Sequence, residues 1–177
     1  MSPYLQRIVV VGSSCSGKTS YAKRLSEMLA FPHIELDALH WNPNWVEKPL
    51  QEFRDLVGNA VAVDRWIVDG NYSAVRDLVW PRATCVIWLN YSFPLILSRA
   101  IRRTVRRAIS REELFSGNRE SFRMSFFSRD SILLWVITTH WDRQRRYDEL
   151  QRSGTYPHLR WFEFKTSPQA EQFLKSL

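Results

Sequence analysis

The run Arg7-Ile8-Val9-Val10-Val11-Gly12-Ser13-Ser14-Cys15-Ser16-Gly17-Lys18-Thr19-Ser20 passes from β-branched apolar residues into a glycine-spaced turn. Beyond it, Lys18 to Ala30 carries Tyr21, Ala22, Leu25, Met28 and Leu29 at helical spacing. Gly12 to Thr19 satisfies G-x-x-x-x-G-K-[ST], and the strand before and helix after are the context in which that pattern cradles phosphates. Gly12 and Gly17 permit a backbone path and a close approach that a side chain would block. Successive N–H groups can then converge on phosphate oxygens, with the helix N-terminus adding its positive dipole. The candidate contacts are Gly12, Ser13, Ser14, Cys15, Ser16, Gly17, Lys18, Thr19 and Ser20, with Lys18 directed to the β and γ phosphates and the Thr19 hydroxyl to Mg2+. The donor ligand expected here is ATP, with GTP open as an alternative.

Outward from this stretch, short β-rich runs alternate with amphipathic ones. His33 to Leu36, Trp66 to Asp69, Cys85 to Leu89 and Arg160 to Phe164 read as further strands. Leu50 to Ala60, Leu95 to about Arg107, about Ser131 to Gln151, and Pro168 to Leu177 read as helices. In the penultimate helix Leu134, Ile137, Trp141 and Tyr147 fall roughly on one face, expected to be the core face. Strands alternating with helices predict an α/β fold with a parallel, doubly wound sheet whose ligand site lies beyond the carboxyl ends of the strands.

Composition bounds the possibilities. A chain of 177 residues suits one domain, 1–177, and no repeat, low-complexity tract or linker divides it. A polar, arginine-rich insert at about 104–130 is the exception and reads as a lid. No apolar run approaches the length of a membrane span, and the N-terminus lacks a signal-peptide pattern, so a cytoplasmic location is expected. Cys15 and Cys85 are expected to stay reduced. The formal charge of +7 favours polyanionic partners, nucleotides or nucleic acid, although no nucleic-acid-binding motif is present. Oligomeric state is not legible.

The remaining candidates cluster at expected strand ends. Asp69 is a candidate for orienting Mg2+, and a helix-capping role fits it equally well in kind. Asp37 can accept a proton from an acceptor hydroxyl or act as a cap. His40, Trp41, Tyr72 and Arg76 are candidates for acceptor contact, with core packing or surface roles as their alternatives. Arg99 and Arg103, four apart, share a helix face and can point into the cleft, and Arg119, Arg123 and Arg129 punctuate the insert. Cations around a transferring phosphoryl group, delivered by a closing lid, are what phosphoryl transfer needs. A solvated basic face is the alternative for about half of them.

With these residues in place the chain resembles the adenylate-kinase-like branch of P-loop kinases. More closely it resembles proteins called DNA topology modulation proteins, through Glu35-Leu36-Asp37-Ala38-Leu39-His40-Trp41, Val68-Asp69-Gly70-Asn71-Tyr72, Ile87-Trp88-Leu89, Gly117-Asn118-Arg119-Glu120 and Thr139-His140-Trp141. The resemblance implies a three-layer P-loop NTPase fold with a five-stranded parallel sheet in the order 2-3-1-4-5, an acceptor-binding segment between strands two and three, and a lid after strand four. It implies that Arg99 and Arg103 match an R-x-x-x-R that contacts phosphates, and that Asp69-Gly70 begins the D-G-F-P-R motif. Ser73 stands where that motif has arginine, and no arginine occurs from Met28 to Gln51 to grip a nucleoside monophosphate. Asp37 is instead similar to the acceptor-binding acid of small-metabolite kinases such as shikimate and gluconate kinases. The expectation is a kinase moving the γ phosphate of ATP, with Mg2+, to a nucleotide or a small hydroxyl-bearing metabolite. A nucleotide-dependent DNA-binding or topology-modulating regulator is the alternative.

Overall fold

The computed structural model of the chain describes residues 4–110 and 132–177. Strand β1 (Arg7–Gly12) is followed by α1 (Lys18–Leu29), β2 (His33–Glu35), α2 (Leu36–His40), β3 (Trp41–Asn42), β4 (Val46–Glu47) and α3 (Leu50–Ala60). Then come β5 (Trp66–Asp69), α4 (Arg76–Val79), β6 (Cys85–Leu89), α5 (Phe93–Ser110), α6 (Ile132–Arg152), β7 (Arg160–Phe164) and α7 (Ser167–Lys175).

Five strands form one parallel sheet in the spatial order β2-β5-β1-β6-β7. In chain numbering this differs from the expected 2-3-1-4-5. Two short strands not foreseen from the sequence, β3 and β4, pair antiparallel across the turn Pro43–Trp45 and stand between the second and third members of the main sheet. They are too short for an alternating pattern to register. The central strand β1 aligns Val10 with Asp69 on one side and Gly12 with Leu89 on the other, which brings the carboxyl ends of β1, β5 and β6 to one edge.

Burial explains why the central strands β1, β5 and β6 are largely apolar. Along β1, Ile8 and Val10 join a cluster with Tyr21, Leu25, Ile96 and Leu174, while Val9 and Val11 join one with Phe53, Val57, Trp80 and Tyr147. A sheet covered on both faces leaves no exposed face to encode. Each fully buried side chain of this kind contributes about 1.5–3 kcal/mol relative to exposure. Trp66, completely buried, anchors the start of β5.

Two expectations change. The second strand stops at Glu35, so Asp37 lies in the first turn of α2 and not at a strand end. In α6 the inward positions are Val136, His140 and Tyr147, whereas Leu134, Ile137 and Trp141 are about half exposed. The expected insert begins as a continuation of α5, which runs to Ser110, and Arg119, Arg123 and Arg129 lie outside the described residues. No described helix is long and apolar enough to cross a membrane, and both cysteines are free.

Candidate phosphate-binding and acceptor site

Between β1 and α1 the backbone takes the left-handed region at Cys15 (φ 64) and Gly17 (φ 88). A Cβ on Gly12 would sit 2.8 Å from both the Leu89 carbonyl oxygen and Ser16 Oγ, so the loop closes against β6 only because that atom is missing. The Ser16 N–H donates to the Ser13 carbonyl at 3.0 Å and forms the turn. Ser16 Oγ is buried and has no hydrogen-bond partner among the described residues. A buried hydroxyl left unsatisfied costs about 1–3 kcal/mol, so an orphan hydroxyl within a phosphate-loop pattern is an observation that fits an anionic ligand there.

Around the loop, three separate segments hold it. Arg99 of α5 donates from Nη1 to the Ser16 carbonyl (2.7 Å) and from Nη2 to Ser167 Oγ (2.8 Å), and its guanidinium lies 5.0 Å from the Tyr91 ring centroid. One turn later Arg103 Nη1 lies 3.9 Å from Cys15 Sγ. Asn71, just past β5, donates from Nδ2 to the Gly12 carbonyl at 2.7 Å and accepts the Tyr147 hydroxyl at 2.8 Å. Arg143 of α6 reaches Ser14 Oγ at 3.4 Å, and His140 Nδ1 lies 3.0 Å from Ser13 Oγ. Burial, followed by the nearby Arg143 charge, holds His140 below the usual histidine range.

Beside the start of α1, Thr19 Oγ1 donates to Asp69 Oδ2 at 2.6 Å, and His33 Nε2 lies 2.7 Å from Asp69 Oδ1. Asp69 is 1% exposed, and its carboxylate engages Thr19 and His33. A hydroxyl and a carboxylate oxygen adjoining a phosphate loop are the donor set that suits Mg2+, which takes one or two protein ligands and completes its shell with phosphate oxygens and water. Among the described residues no group of three or more histidine, cysteine or acidic side chains forms a metal cage. Glu35, opposite Asp69 in the β2–β5 register, has its carboxyl pushed up by burial and then by the Asp69 and Asp37 charges.

The acceptor candidates form an adjoining aromatic nest. Tyr72 donates its hydroxyl to Asp37 Oδ1 at 2.7 Å, and burial, then the Asp37 charge, pushes the Tyr72 phenol far above its usual range. His40 packs between Trp41, Phe53 and Tyr72 with centroids 4.8, 4.9 and 4.6 Å away, and Trp41 meets Trp45 edge-on at 5.6 Å. His40 Nε2 lies 3.6 Å from Glu47. Arg76 opens α4 and places its guanidinium 5.2 Å from the Trp80 ring. Burial holds the Arg143 guanidinium below the usual arginine range.

Thus Gly12 to Ser20, Asp37, Asp69, Tyr72, Arg99 and Arg103 gather at one sheet edge, while His40 and Arg76 are engaged by aromatic neighbours. Sequence reading missed His33, Asn71, His140, Arg143 and Tyr147 as members of the site. A signal existed in α6, where polar residues at 140, 143, 144 and 147 repeat with helical spacing on one face.

No family model matches the chain, and no curated protein matches it. Among solved structures it is similar to a gluconokinase from Sinorhizobium meliloti 1021, with 18% identity, a TM-score of 0.53, and coverage of 99% of this chain and 94% of that one. The likeness shows the fold alone: a five-stranded parallel α/β sheet with the glycine-spaced Gly12–Thr19 turn at the carboxyl end of the central strand.

Proposed function

We propose that the protein is a kinase that transfers the γ phosphate of ATP, with Mg2+, to a nucleotide or a small hydroxyl-bearing acceptor. The observation that carries this reading is the meeting of two halves at one edge. The Gly12–Thr19 loop with its orphan Ser16 hydroxyl and the Thr19–Asp69 pair lies beside Asp37, which Tyr72 holds by its hydroxyl.

In this reading the loop N–H groups and Lys18 hold the β and γ phosphates, and Thr19 and Asp69 hold Mg2+. Held there, Mg2+ would supply charge neutralisation for the phosphates. Asp37 accepts the proton of the attacking acceptor hydroxyl while Tyr72 fixes its orientation. Arg143 and Arg103 place cations where the transferring group develops charge, and Arg99 locks the loop backbone that receives it. The new bond joins the acceptor oxygen to the γ phosphorus, and the bond from that phosphorus to the β–γ bridging oxygen breaks in line with it. A hydroxyl acceptor is favoured over a nucleoside monophosphate because Glu35 and Asp37 line the acceptor side and no arginine occurs between Met28 and Gln51. Carboxylates repel a phosphate and accept hydroxyls.

The test is a thermal-shift screen of nucleotides with Mg2+, followed by ADP release against a panel of hydroxyl acceptors and nucleoside monophosphates. ATP with Mg2+ is expected to stabilise the fold, at least one hydroxyl acceptor to accelerate ADP release, and Lys18→Ala to abolish transfer while remaining folded. ADP release that no acceptor accelerates would overturn the kinase reading.

A further inference from the structure

One buried polar contact is not used by the chemistry above. His140 is 2% exposed and belongs to the largest fully buried side chains of the molecule, yet its Nδ1 points to Ser13 Oγ at 3.0 Å, across 127 positions of sequence. Its ring is fixed on the other sides by Phe93 of α5, 5.4 Å away, and by Trp141 edge-on at 5.3 Å. An imidazole so enclosed has one rotamer and one place to direct its Nδ1.

We infer that His140 is a positioning residue for the phosphate loop, acting on the donor through Ser13; this rests on the reading of Gly12 to Thr19 as the donor site. Ser13 is the pivot of the turn, because its carbonyl accepts the Ser16 N–H that closes it and thereby presents the orphan Ser16 hydroxyl. Pinning Ser13 Oγ from outside fixes that pivot before a ligand arrives, and a loop ordered in advance loses less entropy on binding. The same face of α6 repeats the device. Arg143 reaches Ser14 Oγ, Gln144 donates to Asn90 Oδ1 at 2.7 Å, and Tyr147 donates to the Asn71 that brackets Gly12. α6 is therefore a strut whose polar face sets the loop, and His140 and Tyr147 are the buried members of that face, each 2% exposed.

A helix face that only filled space would carry leucine at 140, and removing His140 would then cost stability alone. A positioning role instead makes His140 and Ser13 one unit, so their removals do not add. The experiment measures the dissociation constant of ATP with Mg2+ by calorimetry for wild type, Ser13→Ala, His140→Ala, the double variant and His140→Asn. Asparagine places a side-chain amide near the position of Nδ1 and serves as the conservative rescue.

His140→Ala and Ser13→Ala are each expected to weaken binding about tenfold, the scale of leaving one buried partner unsatisfied. The double variant is expected to match the weaker single within about twofold, and His140→Asn to lie within about threefold of wild type. Additive losses in the double variant, or wild-type affinity in His140→Ala, would overturn the proposal. Should His140→Ala fail to fold, Ser13→Ala and His140→Asn still decide, because wild-type affinity in Ser13→Ala is incompatible with a role through Ser13. A wild-type protein that binds no nucleotide would instead remove the donor reading, an outcome distinguishable from the others at the first titration.

Discussion

Replacing Asp69 by asparagine separates the two jobs assigned to that side chain. In the native protein one carboxylate oxygen accepts Thr19 Oγ1 at 2.6 Å and the other lies 2.7 Å from His33 Nε2, in a residue only 1% exposed. Asparagine keeps the shape but offers one acceptor oxygen and one NH2, so one of the two neighbours must face a donor. Loss of one charge-assisted hydrogen bond costs about 1.5–3 kcal/mol, and at about 2–4 °C per kcal/mol for a chain of this size Tm should fall by about 3–12 °C. The ligand response should split. ATP without Mg2+ should stabilise Asp69→Asn at least as well as wild type, because a negative charge beside the phosphate loop has been removed. The extra shift from adding Mg2+ should largely vanish, where in wild type a ligand at about a hundred times its Kd contributes about 2.7 kcal/mol. The assay is a pair of thermal melts, ATP with EDTA and ATP with Mg2+, on both proteins. An undiminished Mg2+ increment in Asp69→Asn would refute the placement of the ion at Thr19 and Asp69.

Three further outcomes follow from the same geometry. Cys15 lies half exposed in the phosphate loop, while Cys85 is fully buried with its thiol pushed up to about 12 by burial, so iodoacetamide should alkylate one thiol per native chain. ATP with Mg2+ at about ten times its Kd should slow that alkylation about tenfold, and no protection would place the nucleotide elsewhere. Arg99→Met keeps an apolar stem but removes the guanidinium that lies over Tyr91 and donates to the Ser16 carbonyl and Ser167 Oγ, so ATP affinity should fall about tenfold by titration. Unchanged affinity with lost turnover would place this guanidinium on the transferring phosphate instead of the loop. Tyr72→Phe deletes the 2.7 Å bond to Asp37 and should lower kcat/KM for the acceptor about tenfold while leaving ATP binding intact; a loss confined to ATP binding would count against Asp37 as the acceptor group.

The donor half of the proposed site can be read from the sequence because its chemistry is local. Gly12, Gly17, Lys18 and Thr19 act within one turn, and the backbone path they need is written in the spacing of the glycines themselves. Strands β1, β5 and β6 were legible for a related reason, since burial on both faces makes each a nearly unbroken apolar run. The pairing of His33 with Asp69 was not. It depends on β2 lying beside β5 in parallel register, with His33 against Ile67 and Glu35 against Asp69, and nothing within either segment specifies that neighbour.

Helix α6 shows where periodicity reasoning fails, and why. Reading Leu134, Ile137 and Trp141 as the inward face assumes that a helix packs on an apolar surface. α6 crosses the carboxyl edge of the sheet, where loop hydroxyls and carbonyls face it, and buried polar groups must be paired. The inward stripe accordingly joins Val136 to His140, Arg143, Gln144 and Tyr147, the last four reaching Ser13, Ser14, Asn90 and Asn71 in turn, and Leu134, Ile137 and Trp141 are left about half exposed. An amphipathic helix with its polar face turned inward is stable only if that face meets a constellation worth ordering. The inversion is an observation separate from the glycine-spaced motif, and it supports the same proposed site because the polar face reaches Ser13 and Ser14.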